Sequence, residues 1–292
     1  IAVRQRVPAA RYVDTIRREH ALRVAAGEWD DEPLETLYFG GGTPSLLPAE
    51  MLADLVGLFV PHRPPSSSIV EITIEANPDD VTQTAARHWT AAGINRVSLG
   101  VQSFHPAVLR WMHRTHDADA PGDAVQVLRA AGVASLSIDL IFALPESLDH
   151  DFRRDLDRAL GLDPAHLSVY GLSVESRTPL ARWISRGAIT PAPDERYAAE
   201  FLLAHDVLTK AGYEHYEVSN YARPGRRARH NGAYWRGVAY AGLGPSAHRF
   251  DGRAERAWNV EPWARYERMT QHGEDPTQER EVLTPEQRTL EQ

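Results

Sequence analysis

The chain has 292 residues, 42% of them hydrophobic and 25% charged, with a formal charge of −8 and no cysteine. That length and apolar content supply a core for one large globular domain or one and a half ordinary ones, while the acidic balance disfavours a nucleic-acid groove, which needs clustered cations. The lack of cysteine excludes disulfides, thiolate metal ligands and thiolate nucleophiles. No run approaches the roughly 18 to 20 apolar residues needed to span a bilayer, and the first twenty lack a signal-type apolar core, so a non-transmembrane, cytoplasmic protein is expected.

Tyr12, Ile16, Ala21 and Val24 recur at helical spacing, which predicts an amphipathic helix from Pro8 to Gly27. Strands and helices then alternate. Strands are predicted over Leu34–Phe39, Ile69–Ile74, Val97–Val101, Ser135–Phe142 and Leu167–Val174. Between them come helices over Pro48–Val60, from Asp79-Asp80 through Ala92, around His105–His113, over Pro121–Ala131 and over Asp151–Leu160. Such alternation favours a parallel sheet with right-handed crossovers. A helix precedes the first visible strand, which suggests that a strand lies further upstream. The texture changes between 175 and 190. A long helix over Asp194–Ala211 follows, then aromatic loops and short strands to Phe250, and a polar, partly helical tail from Trp258 to Gln292.

Chemistry-bearing residues gather where strands end, the position at which parallel α/β barrels bind ligands. Gly40-Gly41-Gly42-Thr43-Pro44 lets backbone approach a ligand closely, yet matches neither the dinucleotide fingerprint nor the Walker loop. Glu75, Gln102 and Asp139 follow or end successive strands and are placed to share one cavity, binding hydroxyls, an ammonium or an adenine edge. Arg114 offers a cation to a ligand carboxylate, or is a solvated surface arginine. Asn77, Asp79 and Asp80 precede a helix and read as caps. His113 and His116 lack a third ligand and read as a solvated face. His230 lies in an Arg-rich and aromatic-rich loop, Arg229-His230-Asn231-Gly232-Ala233-Tyr234-Trp235, that offers an axial imidazole and flat walls to a porphyrin, or is simply a structural aromatic cluster.

The ordered series GGGTPS at 40–45, EANP at 75–78, GVQSF at 100–104, SIDLIFALP at 137–145, YEVSNYA at 216–222 and RHNGAYW at 229–235 resembles the radical S-adenosylmethionine proteins of the oxygen-independent coproporphyrinogen III oxidase-like family. The His-Asn-x-x-Tyr-Trp element resembles the branch of that family regarded as heme chaperones. The resemblance covers nearly the whole chain. It implies a partial (β/α)6 radical-SAM-type, TIM-like barrel over residues 1–180 and a C-terminal α+β heme-chaperone region over 181–292. It further implies S-adenosylmethionine held by Gly41, Gly42, Thr43, Glu75, Gln102, Arg114 and Asp139, with Ser173 a weaker match, and heme at His230. Heme and a heme-accepting protein are the implied partners, and no catalytic residue is assigned.

Family members also carry Cys-x-x-x-Cys-x-x-Cys for a [4Fe-4S] cluster after the first barrel strand. This chain has none, so it is expected not to cleave S-adenosylmethionine reductively. One missing upstream segment would explain both the absent strand and the absent thiolates, and the C-terminal region reads as cut at Gln292. Ala143 stands where the family usually has glycine. Two other activities fit the same motifs: oxidative decarboxylation of coproporphyrinogen III propionates, and a non-redox ligand-binding scaffold.

Overall fold

A computed structural model describes residues 8–28, 33–59, 70–176 and 178–291. The expected element ends at Val60 and Ile69, and the terminal Gln292, lie outside them. In chain order the strands are β1 (Thr36–Phe39), β2 (Glu71–Ala76), β3 (Arg96–Gln102), β4 (Ser135–Phe142), β5 (His166–Gly171), β6 (Glu214–His215), β7 (Asn220–Ala222), β8 (His248–Phe250), β9 (Glu255–Asn259) and β10 (Thr277–Val282). The helices are α1 (Ala9–Ala25), α2 (Ala49–Leu58), α3 (Gln83–Ala91), α4 (Pro106–Trp111), α5 (Ala120–Ala130), α6 (Phe152–Gly161), α7 (Pro179–Ser185), α8 (Asp194–Lys210), α9 (Arg229–Trp235), α10 (Trp263–Gln271) and α11 (Pro285–Glu291).

The main sheet has the order β1-β2-β3-β4-β5-β7-β6. Pairing is parallel from β2 through β5, and β7 then joins β5 antiparallel, with β6 antiparallel to β7. The chain forms two compact units, one of residues 1–38, 46–71 and 229–292, the other of 39–45 and 72–228.

In the second unit, side chains of the parallel strands alternate cleanly between two faces. One face is apolar and buried: Ile72, Ile74, Val97, Leu99, Leu136, Ile138, Leu167 and Val169. Helices α6 and α8 pack against β4 on this side, through Leu156, Ala159, Ala204 and Leu208. The other face is polar: Thr73 and Glu75 on β2, Arg96 and Ser98 on β3, Ser137 and Asp139 on β4, His166 and Ser168 on β5. A parallel sheet wrapped by helices on both faces is normally apolar on both. This one reserves a whole face for polar contacts.

The first unit is built on α1, whose Glu19 is fully buried. Its carboxylate accepts from Tyr266 Oη at 2.5 Å, Asn259 Nδ2 at 2.7 Å, the Gly244 amide at 2.9 Å and Arg23 at 3.2 Å. Burial and the Glu19 charge push the Tyr266 hydroxyl far above its ordinary pKa, so it remains a donor. The polar, partly helical tail expected from Trp258 onward carries α10 and α11, and it also supplies β10 to a three-stranded antiparallel sheet, β10-β9-β8, that was not expected. Its charges are cross-strand pairs, Arg256 with Glu281 at 2.9 Å and Arg280 with Glu255 at 2.7 Å, which is why a sheet there reads as polar chain.

Candidate functional site

Within the second unit, the loop after β1 turns through Gly41 at φ +78° and Gly42 at φ +135°. A Cβ at either position would meet nothing within 4 Å, so open space faces this backbone. Only glycine holds these angles without strain. The Gly41 amide donates to Glu75 Oε2 at 3.2 Å, which ties the loop to the last turn of β2. Thr43 follows, half-buried.

Gln102 ends β3 at φ +67°, just after a register shift between Leu99 and Gln102 that redirects its side chain. A Cβ on Gly100 would lie 3.1 Å from Gln102 Nε2 and 3.8 Å from Arg114 Nη2. Gly100 therefore lets these two side chains fold back together across β3. Arg114 Nη1 donates to Asn77 Oδ1 at 2.7 Å, so it is a held, half-buried cation. Burial lowers its pKa, and the charges of Asp79 and Asp139 oppose that shift.

Asp139 is the fifth of eight residues in β4, and so sits inside a strand where the sequence suggested an end. Ser98 Oγ donates to its carboxylate at 2.9 and 3.1 Å. Burial raises the Asp139 pKa to about 6, against the hydrogen bonds from Ser98 and Ser168 and the charge of Arg96, with Glu75 adding to the rise. Gly41 is thus joined to Glu75, Gln102 and Arg114 both lie over Gly100, and Asp139 lies within electrostatic range of both Arg114 and Glu75. Ser173 stands apart, exposed in the loop after β5, and no hydrogen bond ties it to the others among the described residues.

Two expectations are corrected here. Asn77, Asp79 and Asp80 do not cap α3, whose amide at Ala85 is taken by Thr82 Oγ1 at 3.1 Å. Asp80 instead accepts from Ser45 at 2.6 Å and Asn77 at 3.2 Å, and Asp79 accepts from Thr115, so the three bind loops to one another. His116 is not on a solvated face: it is buried, with Nε2 against the Val101 carbonyl at 3.3 Å. Ser98 and Ser168 were missed by sequence reasoning, and Asn77 was read only as a cap. The first two carried a signal in the period-2 run of polar residues along β3, β4 and β5.

In the first unit, the expected loop around His230 is a short helix, α9. The Arg229 and His230 amides both donate to the Glu71 carboxylate, at 3.1 and 3.0 Å, so an acid from β2 closes the helix start. His230 Nδ1 lies 2.8 Å from Thr36 Oγ1. Its ring stacks on Tyr38 at 5.0 Å and 19°, and Tyr234 meets it edge-on at 5.2 Å. Tyr38, Tyr234, Trp235 and Val238 remain exposed around it. Large apolar side chains at a surface, next to a fixed imidazole, suit a flat apolar ligand.

Residues 8–159 match the radical SAM superfamily model. The protein named heme chaperone HemW from Bacillus subtilis is 32% identical over 284 residues, covering 97% of this chain and 74% of that protein. The chain belongs to the radical SAM superfamily and, within it, to the HemW family. The namesake from Synechocystis sp. is 39% identical over 236 residues, which are 81% of this chain. The chain spans 56% of the length of that relative and 63% of the Mycobacterium tuberculosis one. The fold is that of coproporphyrinogen III oxidase (HemN) from Escherichia coli, a radical SAM enzyme, with a TM-score of 0.80 at 24% identity, covering all of this chain and 69% of the other. Among the described residues no helix is long and apolar enough to cross a membrane, and no three His, Asp or Glu side chains group to hold a metal ion.

Proposed function

We propose that this chain is the part of a cytoplasmic heme chaperone that binds S-adenosylmethionine and heme, the heme being cargo for an acceptor protein. Residues 1–180 are read as a partial (β/α)6 barrel and 181–292 as the heme-chaperone region. The observation that carries the heme reading is His230: its Nδ1 is engaged by Thr36, its ring is clamped by Tyr38 and Tyr234, and exposed aromatics surround it. With the proton on Nδ1 and shared with Thr36, the lone pair sits on Nε2, the tautomer that ligates iron.

S-adenosylmethionine suits the carboxyl-end cluster of the second unit. Gly41 and Gly42 offer backbone facing open space, Thr43 a hydroxyl, Glu75 and Asp139 acceptors, Gln102 an amide, and Arg114 a cation. Ser173 joins on resemblance alone. A [4Fe-4S] cluster does not suit this chain, because no thiolate exists to hold it. No step is therefore assigned through a cluster, and the proposed activity is binding and transfer.

Hemin titration tests the reading. The 292-residue chain is expected to give a Soret shift that saturates at one equivalent, and His230→Ala is expected to weaken binding at least tenfold and change the spectrum. An unchanged affinity and spectrum in the variant would remove heme from His230. Formation of protoporphyrinogen by the longer protein would favour the decarboxylase reading instead.

A further inference from the structure

The polar face of the second unit continues well below the carboxyl-end cluster. Arg96 opens β3 and Gln102 ends it, a separation of about 20 Å along the strand. Arg96 is 5% exposed, and its Nη1 has no hydrogen-bond partner among the described residues. Thr73, its register partner on β2, is 1% exposed, and its Oγ1 has none either. One guanidinium nitrogen and one hydroxyl thus lack partners side by side on the face that carries the chemistry. A buried donor left unsatisfied bears its full desolvation cost.

The neighbouring groups are already committed. Ser98 gives its hydroxyl to Asp139, and His166 spans Ser137 at 2.8 Å and Tyr216 at 2.7 Å. His166 is held neutral, its pKa lowered by burial and by the Arg96 charge, so it adds no second positive charge. Asp139 senses Arg96 electrostatically but makes no ion pair with it.

We propose that Arg96 and Thr73 form a binding site for one small monovalent anion, of the carboxylate or halide class, at the amino end of the polar face, one step along the strands from Glu75 and Asp139. Arg96 would donate through its planar fork and Thr73 through its hydroxyl, which matches two donors to one anion. The site rests on these orphaned atoms and not on the S-adenosylmethionine reading.

The test is thermal unfolding of the full chain at fixed ionic strength while sodium acetate replaces the sodium salt of a bulky sulfonate buffer. A saturable rise in Tm is expected, because a ligand of the native state stabilises it by mass action. Thr73→Val is expected to raise the half-saturating acetate concentration roughly tenfold, and Arg96→Met to abolish the dependence. Equal acetate responses in wild type and both variants, or no response in wild type, would overturn the site. Anomalous diffraction from bromide-soaked wild-type crystals decides even if Arg96→Met fails to fold. A bromide peak at hydrogen-bonding distance from Arg96 Nη1 supports the proposal, and its absence there, or binding only at the carboxyl-end cluster, sinks it.

Discussion

Ala143 sits at φ +57°, in the left-handed region that costs a residue with a Cβ about 1 kcal/mol or more. It is held there because its amide donates to Glu200 Oε2 at 2.7 Å, and Glu200 is fixed in turn by Arg196 at 2.8 Å. Ala143→Gly should therefore stabilise the protein by about 0.5–1 kcal/mol, after the wider freedom of glycine in the unfolded chain is subtracted. Urea unfolding measures this, and a loss of stability would contradict it. Asp139 argues a second change at this scale. Its pKa lies near 6, above its ordinary 3.8, so the protonated form is the one the fold favours. That contribution to stability is present below about pH 4 and lost as pH rises through 6. Ligand binding runs the opposite way, since a carboxylate that accepts from ligand hydroxyls does so only when ionised. S-adenosylmethionine affinity should fall up to tenfold per unit as pH drops below 6, and Asp139→Asn should flatten that limb in a calorimetric titration across pH 5 to 8. The place of Asp139 on the polar face was legible from its residue type and its alternation with Ser137. Its surroundings were not, because they depend on Ser98 and Ser168 from neighbouring strands.

Helix α9 shows what sequence withholds at the scale of elements. Seven residues with one Arg, a His and two large aromatics have weak helical periodicity, and the group that starts the helix, Glu71, is 158 positions away from Arg229. Glu71→Ala should cost about 1 kcal/mol of local stability. Amide exchange at residues 229–231 should quicken about fivefold, and hemin affinity should drop if His230 is the ligand. Unaltered exchange would mean that the carboxylate does not hold the helix. The glycine loop and the β2 to β5 alternation were readable because each signal lies within six or seven consecutive residues. Strands β9 and β10 were not, since their charged faces are matched across the two strands. Glu19 on α1 belongs here too: it accepts from residues on α10 and β9 and from the chain at Gly244, and none of these is local. Removing it by Glu19→Ala takes the acceptor from the Tyr266 hydroxyl and the Gly244 amide and one partner each from Asn259 and Arg23 in a buried site, and should cost about 3–5 kcal/mol in a denaturant titration.

For the whole chain, the deciding quantity is the absence of cysteine from 292 residues. Family membership and fold are compatible with a cluster, yet a [4Fe-4S] centre needs thiolates at three of its irons, and carboxylates or imidazoles arranged as three-ligand groups are absent among the described residues. The groups proposed to bind S-adenosylmethionine, which are backbone amides, Glu75, Gln102, Arg114 and Asp139, do not depend on thiolates. Cofactor binding and cofactor cleavage should therefore separate in this chain. Anaerobic reconstitution with iron and sulfide should leave well under 0.1 equivalent of cluster after desalting, with no absorbance near 400 nm and no 5′-deoxyadenosine on addition of dithionite. Equilibrium dialysis of the same sample should still detect S-adenosylmethionine, and Glu75→Ala together with Asp139→Ala should reduce that binding at least a hundredfold, as expected for two lost acceptors at roughly 1.5–3 kcal/mol each. A stoichiometric cluster would refute the separation from one side. Equal binding by the double variant would refute it from the other, since the ligand would then sit somewhere other than the polar face.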